Sequence, residues 1–239
     1  MFNNLKYSQR KTVSLVSILA ASLIIFSLFL STILQRNAKN QTWSKATTLI
    51  EIINSVGDYT RTHIQPELVN RLEAEFLPEF IPNFAAREIF KSLRQKPNYT
   101  DFFYKDAVLN PFNSEDLADS FETELIEKFK AHQNRQELSG FRSIDKGDLF
   151  YLARPIIINQ PSCLECHGEP SSAPSSLVAR YGSSNGFGWK LNEIVGTQII
   201  SLPTNQAINQ AHQSFFLIMG IIALLLVAVI YISLTSSRL

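Results

Sequence analysis

Two long uncharged apolar runs flank a mixed polar segment in this chain. The first covers residues 13–34, and the second covers residues 214–233. Twenty residues of helix rise roughly 30 Å, which is the thickness of the hydrocarbon core of a bilayer. Each run therefore predicts a transmembrane helix, and we assign these helices to residues 13–34 and 214–234.

The first run has an alternative interpretation as a cleaved signal peptide, because Lys6, Arg10 and Lys11 form a positive segment ahead of it. The apolar part of a signal peptide is only ~7–15 residues long, and this run is longer. No small-x-small cleavage site follows it. The sequence favours a retained signal-anchor.

Orientation follows from the basic residues. Three of them lie in residues 1–12 and one, Arg238, lies in residues 235–239, and no acidic residue lies in either segment. The positive-inside rule places both segments in the cytoplasm and exports residues 35–213 to a periplasm or a thylakoid lumen. We expect a multi-pass protein of the inner or thylakoid membrane.

The exported segment is acidic although the whole chain is nearly neutral. The chain holds 22 basic and 21 acidic residues, and removing the four cytoplasmic basic residues leaves 18 against 21, a net charge of −3. This balance argues against nucleic acid as a partner.

Helical periodicity dominates the first half of the exported segment. Apolar residues recur at three- and four-residue steps over residues 42–64, so an amphipathic helix is predicted to continue out of the first membrane helix until Pro66 stops or kinks it. Further helices are predicted over residues 85–94 and 116–132.

The second half has the composition of strands. Residues 148–159 and 193–202 are rich in β-branched and aromatic side chains and are bounded by Gly, Asn and Pro, and Gly140 opens an earlier candidate strand. The predicted fold class is α+β: a small antiparallel sheet flanked by long helices, between two transmembrane helices.

The two cysteines of the chain both belong to the motif Cys163-Leu-Glu-Cys166-His167. This spacing is typical of c-type haem attachment, in which the two thiols bind the haem vinyl groups and the histidine ligates the iron. Three other uses remain open: a zinc site, a thioredoxin-like redox pair and a short stabilising disulfide. A zinc site needs two further ligands, and a redox pair requires a helix N-terminus where Pro161 and Gly168 instead indicate a loop.

An ordered set of motifs resembles the PAS-like c-type haem family, known from a cyanobacterial protein and from the extracytoplasmic sensor domains of histidine kinases and chemoreceptors. The resemblance covers about residues 42–203 and implies a PAS-like fold with one haem and a sensing or redox role. The motifs are Phe102-Phe103-Tyr104, Asn110-Pro111, Gly140-Phe141-Arg142, residues 152–156, the haem motif with Gly168, Ala173-Pro174, Tyr181-Gly182, residues 186–189 and residues 193–196.

The sixth iron ligand does not follow from the family, because some members use a cysteine that this chain lacks. His63 is the first candidate, since it shares the predicted helix face of Val56. Water or an open site, His132 and His212 are the alternatives. Met219 lies inside the second apolar run, which makes it an implausible ligand and almost excludes methionine ligation.

Arg154 is a candidate partner for a haem propionate, because a guanidinium pairs with a carboxylate through two hydrogen bonds. A surface arginine at a strand end is the alternative. Tyr151 and Trp189 are candidates for packing on the haem, with a place in the core as the alternative.

We expect a membrane-anchored protein with one covalently bound haem c that serves as a redox or gas sensor module. An electron-transfer cytochrome of a respiratory or photosynthetic membrane is the second interpretation. No constellation of acid, base and nucleophile indicates an enzyme. The expected partners are the membrane, a signalling or electron-transfer protein and a second copy of the chain.

Overall fold

The computed structural model describes residues 7–145 and 147–236, and the chain forms two compact units. One unit is Thr42–Thr204, and the other combines the chain up to Gln41 with the chain from Asn205 onward. Lys6 and Arg238, which contribute to the predicted orientation, lie outside the described residues.

The helices account for most of the first half. A π-helical turn, Thr60–Ile64, joins α1 to α2, and short 3-10 turns occupy several of the remaining connections. The helices are α1 (Tyr7–Tyr59), α2 (Gln65–Leu68), α3 (Pro82–Arg94), α4 (Ser120–Ala131), α5 (Leu164–His167), α6 (Ser175–Tyr181) and α7 (Asn205–Ser236).

Four strands form one sheet in the order β1-β4-β3-β2, and every neighbouring pair is antiparallel. This arrangement confirms the predicted α+β class. The strands are β1 (Phe103–Val108), β2 (Leu138–Ile144), β3 (Gly147–Ile157) and β4 (Ile194–Pro203).

The two apolar runs are helical, in α1 and α7. Both helices are long and apolar enough to cross a membrane, and none of the residues in their most apolar stretches is buried. A core helix of a soluble domain would be buried, so these helices differ from that class. Membrane anchoring is compatible with them, and a signal sequence would show the same features for the first.

Pro66 does not end the helical path. It lies in the first turn of α2, where a proline needs no hydrogen-bond donor, and the π-helical turn Thr60–Ile64 directly precedes it. The predicted kink therefore takes the form of a wider helical turn, with Thr60 buried at its start.

The predicted helix over residues 116–132 begins too early. Residues Ser114–Asp116 form a 3-10 turn, and α4 starts only after Asp119, whose carboxylate accepts the backbone N–H of Glu122. The Glu122 side chain in turn accepts the backbone N–H of Asp119, which completes a capping box. This cap fixes the boundary that apolar periodicity alone misplaced.

The sheet buries a different cluster on each face. On one face, Ile50 of α1 and Phe90 of α3 belong to the same cluster as Leu152 of β3. On the other face, Ile126 of α4 belongs to the same cluster as Ala153 of β3. Because side chains alternate along a strand, Arg154 and Ile156 share the face of Leu152. That face leads along the strands to the Cys163 segment.

Candidate haem-attachment site

The motif that carries the two cysteines folds as two short helical turns. Cys163 ends a 3-10 turn and caps α5, which contains Cys166 and His167. Residues three and four positions apart lie on the same side of a helical turn, so the two thiols and the imidazole share one side. This is the arrangement that attachment and ligation of one haem require.

The imidazole of His167 has a fixed tautomer. Its Nδ1 lies 2.8 Å from the carbonyl oxygen of Gly186, which can only accept, so Nδ1 carries the proton. Burial lowers the pKa of His167 to about 4, and the Gly186 hydrogen bond partly opposes this shift. The ring is therefore neutral at pH 7, with the lone pair of Nε2 free to bind a metal.

Two aromatic side chains stack against the His167 ring. The ring of Trp189 lies 3.8 Å from it, centroid to centroid, and is almost parallel, at 2°. The ring of Phe112 stacks at 4.7 Å with an interplanar angle of 28°. These contacts limit rotation of the imidazole and hold its plane in one orientation.

A glycine-rich loop after α6 builds this enclosure. The backbone N–H of Trp189 donates to the carbonyl of His167, and that of Gly188 donates to the carbonyl of Gly168. The Asn110 side chain accepts the N–H of Gly186 at 3.2 Å. The loop is thus tied by backbone hydrogen bonds to His167 and to the glycine that follows it.

Gly186 is required at its position for two reasons. Its φ of +82° is a left-handed conformation that side chains other than glycine rarely adopt. In addition, a Cβ atom there would overlap the Phe112 ring. Gly186 therefore has two roles: its carbonyl accepts the hydrogen bond from the imidazole of His167, and its lack of a side chain lets the Phe112 ring lie against the loop.

The structure bears on the other uses of the cysteines. Burial raises the pKa of the Cys166 thiol, and the charges of Glu165 and Cys163 add to this shift, which opposes the reactive thiolate of a redox pair. Cys163 does cap a helix, contrary to the predicted loop, but α5 has only one turn. Among residues 7–145 and 147–236, no group of three or more His, Cys, Asp or Glu is placed to hold a metal ion.

His63 is exposed in the π-helical turn. Its ring stacks on Tyr59 at 4.7 Å, and its Nδ1 lies 2.7 Å from the hydroxyl of Thr62. His132 is exposed at the C-terminal end of α4, and His212 is exposed in α7, in the other unit. The sixth ligand stays a prediction for each of them.

Arg154 already has carboxylate partners in the protein. Its Nη1 lies 2.6 Å from Glu51 of α1, and its Nε lies 3.3 Å from Glu137 ahead of β2. Burial alone would lower the pKa of Arg154, but the hydrogen bonds to Glu51 and Glu137 and their charges together outweigh it, so the pKa is raised. Pairing with a propionate stays a prediction, and the guanidinium would then share its charge among three anions.

Of the two aromatic candidates for packing on the haem, one lies at the site and the other does not. Trp189 lies at the site, stacked on His167, whereas Tyr151 packs edge-on against Phe121 in the cluster around α4, on the other face of the sheet. Phe112 and Asn110 also belong to the site, although the sequence alone does not indicate that they contact His167 and Gly186. The Gly186-Phe187-Gly188 pattern was the available signal for the loop that holds His167.

The fold and the site together define the class: an α+β domain with a CxxCH motif whose histidine is neutral and held in one orientation. The model of the Tll0287-like family matches residues 35–203, and the chain belongs to this family. The predicted resemblance is thereby confirmed. The crystal structure of the cyanobacterial haem-protein Tll0287 matches 68% of this chain and 95% of that chain, with 15% identity and a TM-score of 0.49. No curated protein matches the chain.

Proposed function

We propose that this chain is a membrane-anchored c-type cytochrome with one covalently bound haem and a PAS-like haem domain that acts as a redox or gas sensor module. The observation that carries the proposal is the geometry of His167, whose Nδ1 proton is held by Gly186 while Nε2 is free. Membership of a family named after a haem protein supports it.

The residues present fit a covalently attached haem. Cys163 is partly buried against Val108, Ile158 and Val195, which form an apolar surface at the end of the sheet. Cys166 and His167 are half-buried on the same short helical segment. When bound, the haem supplies reversible one-electron chemistry and an iron that takes an axial ligand.

The contacts between α1 and the sheet support the sensor function. Residues of α1 contact the sheet directly: Glu51 pairs with Arg154, and Asn54 accepts a hydrogen bond from Gln198 at 2.9 Å. The first apolar run belongs to the same helix. A change at the haem that alters the contacts between α1 and the sheet would therefore act on a helix that also contains the first apolar run.

An electron-transfer cytochrome is the second candidate, and one observation favours it. The rings of His167, Phe112, Tyr181 and Phe76 follow one another, with successive centroids 4.7, 5.6 and 5.4 Å apart. Tyr181 is half-exposed, so this chain of rings reaches from the proposed iron ligand towards solvent.

The test of haem attachment is a pyridine haemochrome spectrum of the denatured full chain, expressed with a cytochrome c maturation system. We expect haem to stay with the denatured wild type and to be lost from the Cys163→Ser, Cys166→Ser double variant. A haem-free wild-type chain would overturn the proposal. CO or NO binding separates the two functions, because a sensor of gases needs an exchangeable sixth ligand and an electron carrier does not.

A further inference from the structure

One row of polar side chains crosses the sheet between its apolar core and the attachment site. Asp106 of β1 faces Gln198 of β4 in register, and Gln198 faces Arg154 of β3. The next residue of β1 on this face is Val108, which belongs to the apolar cluster packed against Cys163. Asp106 is therefore one side-chain step along the strand from the surface that receives the haem.

The carboxylate of Asp106 lies at the end of a short chain of hydrogen bonds formed by neutral side chains. Tyr104 donates its hydroxyl proton to Asp106 Oδ1 over 2.8 Å, and Gln198 donates to the Tyr104 oxygen over 3.1 Å. The remaining partner of the Gln198 amide is Asn54 of α1. Burial and the nearby Asp106 charge raise the pKa of Tyr104, so this phenol stays a donor at neutral pH.

The cations around Asp106 are engaged with other carboxylates. Arg87 of α3 binds Asp116 through two contacts of 2.8 and 3.0 Å, and Arg154 is shared by Glu51 and Glu137. Lys105, the neighbour on the opposite face of β1, pairs with Glu122. Asp106 thus has no ion-pair partner of its own among the described residues.

The ionised form of Asp106 is costly in these surroundings. Desolvation raises its pKa to about 6, and the charge of Asp116 adds to this effect, while Tyr104, Arg87 and Gln198 oppose it. Residue 106 as a whole is only partly buried, so solvent lies near this end of the strand. The protonation state of Asp106 near neutral pH therefore responds to a change of one charge nearby.

We infer that Asp106 takes up a proton when the haem iron is reduced, so that electron uptake by this protein is coupled to proton uptake. The inference rests on the proposed haem function. An external one-electron donor reduces Fe(III) to Fe(II), and a proton from solvent binds the Asp106 carboxylate. Reduction would remove one positive charge from the site, which would make a neighbouring anion less favourable.

The test is a spectroelectrochemical titration of the haem-loaded full chain in detergent micelles at a series of pH values. The midpoint potential of the wild-type protein should fall as pH rises. The fall should occur between the pKa of Asp106 in the oxidised protein and its higher pKa in the reduced protein, and its slope should approach the value for one proton taken up per electron. The slope should disappear in Asp106→Asn and persist in Asp101→Asn, a matched change at an exposed carboxylate. A flat wild-type potential, or an unchanged slope in Asp106→Asn, would overturn the inference.

A second readout serves if Asp106→Asn fails to fold. Reduced-minus-oxidised infrared difference spectra of wild type should show a protonated carboxyl band that shifts in D₂O and in protein labelled with ¹³C-aspartate. Absence of this band in haem-loaded protein would overturn the inference alone. A haem-free preparation, identified by its haemochrome spectrum, would instead overturn the proposed function and the inference together.

Discussion

The imidazole Nδ1 of His167 lies 2.8 Å from the carbonyl oxygen of Gly186, nineteen residues further along the chain. This contact fixes the tautomer of the proposed iron ligand and depends on the left-handed backbone of Gly186. A metal-binding histidine commonly donates a hydrogen bond from its second ring N–H to such a carbonyl, which orients the ring. The glycine-rich loop therefore belongs to the site as much as the cysteine motif does.

Replacement of Gly186 by alanine should destabilise the haem domain. The alanine would pay on the order of 1–3 kcal/mol for the left-handed backbone and would also collide with Phe112. Gly182→Ala is the matched control, because its φ is +77° but a Cβ there meets nothing within 4 Å. Denaturant unfolding of the full chain in detergent should show a larger loss for Gly186→Ala, and equal losses would contradict the role of the Phe112 contact.

His63→Ala tests the first candidate for the sixth ligand. If His63 binds the iron, the variant should convert a low-spin haem spectrum to a high-spin one. The stability should change little, because His63 is exposed and its main contact is the Tyr59 ring. His132→Ala, a second exposed histidine, is the control, and an unchanged His63→Ala spectrum would remove His63 from the coordination sphere.

Arg154→Gln should weaken the attachment of α1 to the sheet. The change leaves Glu51 and Glu137 without their shared cation, and for a partly exposed pair the expected loss is about 1 kcal/mol. Arg142→Gln, which removes a single ion pair of a more exposed arginine with Asp119, is the control. If Arg154 also binds a propionate, its variant alone should shift the haem midpoint potential; a stability loss with no such shift would assign it to the ion pairs only.

Asp106→Asn should raise stability at neutral pH. Burial raises the pKa of Asp106 in the folded protein to about 6, well above its ordinary value of 3.8, so the folded protein disfavours the ionised form. The stability that the protonated group contributes is fully present below about pH 4 and is lost as pH rises through 6. The gain in unfolding free energy from Asp106→Asn should grow over this window and level off above it, as denaturant unfolding at several pH values would show. A pH-independent difference would contradict the assigned pKa.

The fold class and the attachment motif could be read from the sequence, since β3 and β4 carry clear strand composition and the CxxCH spacing is local. Strand β1 was not predicted, because Lys105 and Asp106 interrupt its apolar residues. Lys105 is accommodated by Glu122 of α4. Asp106 is accommodated by Tyr104 of the same strand, whose hydroxyl oxygen in turn accepts a hydrogen bond from Gln198 of β4. Such tertiary compensation leaves no local pattern.

The surroundings of His167 were also beyond a reading of the sequence. Phe112 and Gly186 are far from the motif along the chain, and only the closed fold brings them to the imidazole. The sequence indicates that Arg154 is a charged strand residue, but its partners Glu51 and Glu137 depend on how α1 and the segment before β2 lie on the sheet. Contacts between elements, rather than the elements themselves, set these details.

Intact mass spectrometry of the denatured full chain, after expression with a cytochrome c maturation system, tests the central claim most directly. We predict a mass greater than that of the polypeptide by one haem, with the added mass on the peptide that contains Cys163 and Cys166. A chain with the mass of the bare polypeptide, or a haem that separates on denaturation, would contradict covalent attachment at this site.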